Sequence, residues 1–510
     1  MLDQILLPFL DLKMLILIAL GTLFGVIKGL LPGLSVTMAV TLLVSLTYTW
    51  DTVAAMVTMI AVYYGGVYGG ARSAILVNIP GSASSLAATF DGYPLTKRGE
   101  AGIGIGLSTV YAAIGGVIGL LFLGLAAPYL GELALGFAAR DYFLIMFLGL
   151  LLVGGLSEGS MPKAIFVAGA GIILGLVGMD SLTGVERFTF GNLELKSGIN
   201  YIACMLGLFG LSEVLMQLHN LGKTKVNVVI GKLLPPLIYL IKFLPLTIRT
   251  SLIGVVIGIL PGAGGEISSL IAYDHAKKTV KNPTRPFGKG AYEGLIAPEV
   301  AIMSTNGGAM IPMLTLGIPG DAVTAVLIGA MTIHGLKTGP MLMVESPEIF
   351  WIILGAAIAS ILFIVVWGLS AVSFFARVIL IPKYILMPVI IFFTVIGAYG
   401  INNSVVDVYW MIAFGVIGYL LKLHKFPTGP MVLGIILGPQ MDTNLRRAII
   451  SEEGSILGFL TSLFTNPISL ILTLFVLFTL LSQTALFKKW RQQLLRRKGQ
   501  AATEDQQAGV

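Results

Sequence analysis

Charge is what this sequence has least of. Asp, Glu, Lys and Arg make up 11% of its 510 residues, against roughly 25% in soluble globular domains. With 56% hydrophobic residues, a chain of this length cannot cover a water-soluble surface. A single cysteine, Cys204, excludes a disulfide scaffold. The four histidines, His219, His275, His334 and His424, stand apart with no paired metal-ligand spacing. No GxxxxGK[ST] run exists, so nothing here cradles ATP phosphates. Gly155-Leu-Ser157-Glu-Gly159 has the letters of a nucleophile elbow without the strand-to-helix context that exposes its serine. Gly320-Asp321 lacks the GxGD form of an intramembrane aspartyl protease, because Ile318 stands at its first glycine. A membrane enzyme is therefore the weaker alternative, and the chain reads as a non-enzymatic polytopic membrane protein.

Glycine is abundant, 63 of 510 residues. In membrane helices it lets backbones approach closely, or breaks a helix where a site is needed. The apolar runs predict an all-α protein with about 11–14 spans or half-spans. Gly178–Ser197 reads as an extramembrane loop, and Leu221–Leu234 as a connector. Basic residues cluster at Lys277, Lys278, Lys281, Arg285 and Lys289, and again from Lys488 to Lys498. Both runs abut apolar segments and read as cytoplasmic loops, not as nucleic-acid sites. The C-terminus is thus expected inside. Asp3 and Asp11 precede the first apolar run and no A-x-A site follows, so that run is expected to remain as a helix.

The organising feature is an internal repeat. Gly25-Val-Ile-Lys-Gly29-Leu-Leu31-Pro32-Gly33 recurs as Gly254-Val-Val-Ile-Gly258-Ile-Leu260-Pro261-Gly262, an offset of 229 residues. Ile79-Pro80-Gly81-Ser82 recurs as Ile318-Pro319-Gly320-Asp321, an offset of 239. The chain divides accordingly into a repeat over 1–240, a second over 241–485, and a basic tail over 486–510. Basic loops at equivalent positions alternate: Lys97 and Arg98 follow the second break of the first half, and the Lys277–Lys289 run follows the first break of the second half. Equivalent loops on opposite sides make the repeats inverted.

Proline removes a helical N–H and glycine permits the turn that follows. Backbone groups freed in this way must line protein or a wet cavity. The four breaks therefore nominate a substrate site built from Pro32, Gly33, Ser35, Asn78, Pro80, Gly81, Ser82, Pro261, Gly262, Gly264, Pro319 and Gly320. Helix N-termini there suit an anion. Arg72 is added because its fork can hold a carboxylate. Lys28 is a second intramembrane cation, with snorkelling to an interface as the alternative for both. Thr305, Asn306 and Thr324 are further polar residues around the fourth break. Ser35, Ser268, Thr315 and Asp321 supply oxygens suited to a coupling sodium ion.

At these motifs the sequence resembles the large membrane subunit of tripartite tricarboxylate transporters, the TctA family. The resemblance rests on Gly69-Gly-Ala-Arg-Ser-Ala-Ile-Leu-Val-Asn-Ile-Pro-Gly81, Asp91-Gly-Tyr-Pro94 and Arg187-Phe-Thr-Phe-Gly191. It continues through Ile311-Pro-Met-Leu-Thr-Leu-Gly-Ile-Pro-Gly320 and Leu437-Gly-Pro-Gln-Met-Asp-Thr-Asn-Leu-Arg-Arg447. It implies a multi-pass protein of a bacterial inner membrane that imports a small di- or tricarboxylate. Import would be a symport driven by an ion gradient, typically sodium, with no other cofactor. It further implies two partners, a periplasmic substrate-binding protein and a small four-helix, TctB-like membrane subunit. A self-sufficient carboxylate transporter without a binding protein is the alternative.

Overall fold

Apolar runs interrupted by Gly and Pro fold almost entirely as helices, because each helix satisfies its own backbone polar groups. The computed structural model describes residues 1–31, 34–156, 161–180, 182–219, 233, 238–378 and 383–483. Pro32, Gly33, most of the connector and the basic tail lie outside the described residues.

Among the described residues, six helices are long and apolar enough to cross a membrane: Leu12–Leu30, Thr52–Val77, Ala101–Ala134, Tyr201–Leu218, Pro347–Ser370 and Val405–Leu423. Ile456–Thr465 and Pro467–Leu481, bent by 97° at their junction, make a seventh if taken as one span. Shorter apolar helices, among them Val36–Leu46, Leu244–Ile259 and Ala322–Ile333, are of half-span length. The Tyr292–Leu316 helix is long enough but falls outside this set, because Glu293, Pro298, Glu299 and Asn306 dilute its apolar run. It is nonetheless among the most buried helices of the described fold.

Backbone packs directly on backbone wherever glycines meet. Leu12–Leu30 runs along Thr52–Val77, where a Cβ on Gly25 would stand 2.5 Å from the Val62 carbonyl oxygen. Leu244–Ile259 runs likewise along Tyr292–Leu316, where a Cβ on Gly258 would stand 2.5 Å from the Thr305 carbonyl oxygen. Such approaches replace the missing hydrophobic drive with close van der Waals contact. The long helices also cross over. Ala101–Ala134 packs on Tyr292–Leu316, and Pro347–Ser370 packs on Thr52–Val77.

The Gly178–Ser197 stretch lies outside any long helix. Gly178–Met179 and Glu186–Arg187 pair antiparallel, followed by the short helix Leu193–Lys196. Arg187 ties this hairpin down, bridging Asp180 at 2.5 Å and Asp442 at 2.9 Å. Arg446 also pairs with Asp180. These arginines hold the Asp180 carboxyl well below the usual carboxylate range. Asp91, of the Asp91-Gly-Tyr-Pro94 run, accepts the backbone N–H groups of Gly288, Gly290 and Ala291 at 2.8–2.9 Å. It thereby fixes the loop that leads into Tyr292–Leu316.

Candidate substrate site

Ser35 and residues at or just after the three described Pro-Gly breaks gather around a cavity of about 980 Å³. Ser35, Pro80, Gly81, Ser82, Gly262, Gly264 and Asp321 line it. The backbone shapes its floor. Gly81 donates its N–H to the Gly70 carbonyl at 3.1 Å. Gly262, at φ +76°, donates to the Gly320 carbonyl at 2.8 Å, which ties the two breaks of the second half together. Side chains would not fit: a Cβ on Gly81 would collide with the Gly29 carbonyl, and one on Gly320 would stand 2.6 Å from Ala309 Cα.

Five described helices begin at this cavity, one of them Gly429–Ser451, whose Thr428, Gly429 and Pro430 line it without a side-chain cap. Ser35 caps Val36–Leu46 by accepting the Met38 N–H at 3.1 Å. Asp321 caps Ala322–Ile333 by accepting the Thr324 N–H at 2.7 Å, with the Thr324 hydroxyl answering in a capping box. The other oxygen of Asp321 accepts the Tyr63 hydroxyl at 2.7 Å. Ser82, Ser84 and Ser85 cluster where Leu86–Lys97 begins, with hydroxyl separations of 2.8 and 2.9 Å. Gly264–Thr279 begins beside them, without a side-chain cap.

The remaining expected site residues sit elsewhere. Pro261, Pro319 and Gly320 stand behind the lining, and Pro319 and Gly320 are buried. Arg72 is 1% exposed and faces Glu299, not the cavity: Nη2 to Oε2 is 2.6 Å. Its second arm donates to Thr109 Oγ1 at 3.1 Å, and the guanidinium lies 4.0 Å from the centre of the Tyr68 ring. Asn78 is exposed and left-handed, φ 59°, closing Thr52–Val77 as Gly317 at φ 71° closes Tyr292–Leu316. Thr315 donates to the Ile311 carbonyl and Ser268 contacts the Thr305 hydroxyl at 2.8 Å; both are buried behind the cavity. Of the four sodium candidates, only Ser35 and Asp321 line it. Lys28 is buried, and its ammonium has no hydrogen-bond partner among the described residues.

Among the lining residues outside the sequence nomination are Tyr63, Asn306, Glu213 and Lys422. Tyr63 stands in an apolar run that gave no signal. Asn306 was visible as a polar residue but not singled out. Glu213 and Lys422, paired at 2.7 Å, come from helices remote in sequence from any break.

Comparison with known proteins agrees with the resemblance seen in the motifs. Residues 15–433 match the model of the Tripartite tricarboxylate transporter TctA family. A protein of Agrobacterium vitis, described as an uncharacterized 52.8 kDa protein in the TAR-I ttuC' 3'region, is 36% identical over 426 residues. That alignment covers 83% of this chain and 84% of the relative. A second from the same organism, described as an uncharacterized protein in the TAR-II ttuC' 3'region, is 37% identical over 216 residues, 42% of this chain and 87% of its own. No solved structure matches the chain. With the family match running through most of its length, this multi-pass membrane protein belongs to the TctA family, the membrane component of tripartite tricarboxylate transporters and not an enzyme.

Proposed function

We propose that the chain is the permease subunit of a binding-protein-dependent secondary transporter, importing a small di- or tricarboxylate across a bacterial inner membrane. The observation that carries this reading is the cavity at which five of the described helices begin. Helix N-termini carry partial positive charge and free N–H donors, which suit a carboxylate in a low-dielectric site. Family membership supports the two partners, a periplasmic binding protein and a small TctB-like membrane subunit. A coupling ion, sodium by family resemblance, would find oxygens at Ser35 and Asp321. In this reading Arg72 braces the halves and does not bind substrate.

Two inverted repeats, over 1–240 and 241–485, complete the proposal, with the basic tail 486–510 in the cytoplasm. Several contacts support the repeats. Gly81 approaches Gly29 and Gly70; Gly320 approaches Gly258 and Ala309, the counterparts at offsets of 229 and 239. Support for inversion comes from the two ends of Thr52–Val77, whose 26 residues span about 39 Å at 1.5 Å per residue. At its far end Thr96 bonds the Ile75 carbonyl, and nearby Glu100 pairs with Arg285 of the second half's basic loop. At its near end Asp51 lies within electrostatic reach of His334. Both contacts support a reading in which equivalent loops of the two halves lie at opposite ends.

Uptake of labelled citrate, succinate and tartrate into proteoliposomes tests the function. The transporter is assembled with its small subunit, with and without the binding protein and a sodium gradient. Uptake that needs the binding protein and the gradient is expected. Uptake without the binding protein would make the permease self-sufficient. Absence of uptake of any carboxylate would overturn the substrate class.

A further inference from the structure

The helix ends at the cavity are not equivalent. Ser35 and Asp321 close their own helix ends with side-chain oxygens, and Asp321 also takes the Tyr63 hydroxyl. The ends at Ala83–Leu86 and at Gly264 carry no side-chain cap. The two self-capped ends lie together, as do these two uncapped ones. Val36–Leu46 packs on Ala322–Ile333, so the self-capped ends share one wall. Gly264–Thr279 packs on the Ala83–Ser85 turn and on Leu86–Lys97, so these two uncapped ends share the other, while the uncapped start of Gly429–Ser451 lies beside Ala322–Ile333. There a Cβ on Gly265 would stand 3.1 Å from Ser84 Cβ and 3.4 Å from Ile302.

A second observation points to the same wall. Asn306 lines the cavity one helical turn beyond Ile302, on the same face of Tyr292–Leu316. It is 2% exposed, and its Nδ2 has no hydrogen-bond partner among the described residues. A buried amide donor without an acceptor is costly, and an anion placed there would satisfy it. The opposite wall already holds a carboxylate of its own at a helix N-terminus, which repels a second.

We propose that the cavity is polarised: the substrate carboxylate accepts from the Asn306 amide and the uncapped helix ends at Ser84 and Gly264, while the wall of Ser35, Tyr63 and Asp321 takes an uncharged or hydroxylated part of the same molecule. This rests on the carboxylate-transport reading and adds an orientation to it. Glu266, in the first turn of Gly264–Thr279, is exposed at the cavity. Its charge limits how much further negative charge this wall admits.

The test uses the assembled transporter, with citrate, succinate and tartrate as probes, read by equilibrium binding and by the half-saturating concentration of uptake. Asn306→Asp replaces the donor by a charge at nearly constant volume. Ser84→Asp gives the open helix end the carboxylate that Asp321 gives its counterpart. Each should weaken binding about tenfold or more, the loss of a charge-assisted hydrogen bond or the gain of a repulsion. Asn306→Ser carries the same expectation should the aspartate fail to fold, judged by elution and thermal unfolding. Asp321→Asn should instead raise the preference for citrate over succinate, because the second wall no longer repels a further carboxylate. Folded Asn306 and Ser84 variants that bind like the wild type would overturn the polarised site, while wild-type uptake of carboxylate would leave the transport reading standing. A uniform loss in Asp321→Asn equal to that in Asn306→Asp would also overturn it. A wild type that takes up no carboxylate would remove both.

Discussion

Arg72 and Glu299 form a buried ion pair at 2.6 Å, joining the Thr52–Val77 helix of the first half to the Tyr292–Leu316 helix of the second. Neither side chain lines the cavity. Stacking on Tyr68 and the bond to Thr109 hold the guanidinium in place, while Glu299 Oε1 has no hydrogen-bond partner among the described residues.

Removing one partner strands a buried charge, at a cost of about 3–5 kcal/mol. Arg72→Met or Glu299→Met alone should therefore lower the unfolding temperature in detergent sharply. The double variant Arg72→Met with Glu299→Met should recover most of that loss, since well-packed apolar pairs often replace buried ions. If the double variant folds and still transports, Arg72 is a brace. If it folds with wild-type stability but binds no carboxylate, the guanidinium returns to the list of substrate contacts.

The breaks were legible in the sequence because Pro-Gly has few uses inside an apolar run, and their repetition at nearly constant offset tied them together. Seven nominated residues, among them Ser35, Ser82 and Gly264, line the cavity. Asn78 illustrates what was hidden. Its polarity suggested a contact, yet it occupies the left-handed position that Gly317 fills in the other half, and asparagine tolerates that conformation better than most residues. Polarity and backbone tolerance leave the same letter in the sequence. Arg72 was hidden differently, because its partner Glu299 lies 227 residues away and no local pattern links them. The length of Tyr292–Leu316 escaped the apolar count because Glu293 accepts from Thr284 and Glu299 pairs with Arg72, so its charges are answered by remote groups.

Two glycine-to-alanine changes should separate close approach from simple helix propensity. At Gly81 an added methyl would meet the Gly29 carbonyl and the Gly70 Cα, both backbone and unable to swing aside. Overpacking of this kind costs about 1–3 kcal/mol, and here it would also displace the Pro80-Gly81 break from the cavity. Gly169 lies within the Met161–Gly175 helix with nothing within 4 Å of its added Cβ. Gly169→Ala should be neutral or stabilising by up to about 1 kcal/mol. Uptake and thermal unfolding of the two variants decide the matter: equal behaviour would mean that the Gly81 contact is not tight.

Glu100 and Arg285 make a two-pronged bridge at 2.7 and 2.8 Å outside the spans. The guanidinium lowers the Glu100 carboxyl below its ordinary value of 4.5, against some desolvation. A carboxylate with a depressed folded pKa contributes its stability above the unfolded pKa and loses it as pH falls through the folded one. The wild type should therefore exceed Glu100→Gln in stability at pH 7, and the gap should close as pH drops below the ordinary carboxylate range. Unfolding curves at pH 7 and at about pH 3 give the two readings. A gap that persists at the lower pH would assign the effect to packing instead of charge.

The proposed inverted arrangement makes a prediction about sidedness. The loop holding Thr49 lies at one end of Thr52–Val77, and Lys97 lies near the other, where Thr96 bonds Ile75. Arg285 joins the Thr279 loop to the Lys97 end through Glu100, and Asp51 brings the His334–Lys337 segment towards the Thr49 end. In the proposed topology the richer set of basic residues at the Lys97 end faces the cytoplasm. Cys204 is the chain's one thiol and is buried, so Cys204→Ala supplies a background without cysteine. Single cysteines replacing Thr49, Lys97, Thr279 and Lys337, all exposed, can then be treated with an impermeant thiol reagent on intact cells. Labelling at 49 and 337 and protection at 97 and 279 until the membrane is opened is the expected pattern. Thr49 and Thr279 follow equivalent helices of the two halves, as Lys97 and Lys337 do. If both members of either pair label from the same side, the halves are parallel. A cavity between parallel halves would lose the symmetry that lets one pair of repeats exchange inward-open and outward-open conformations.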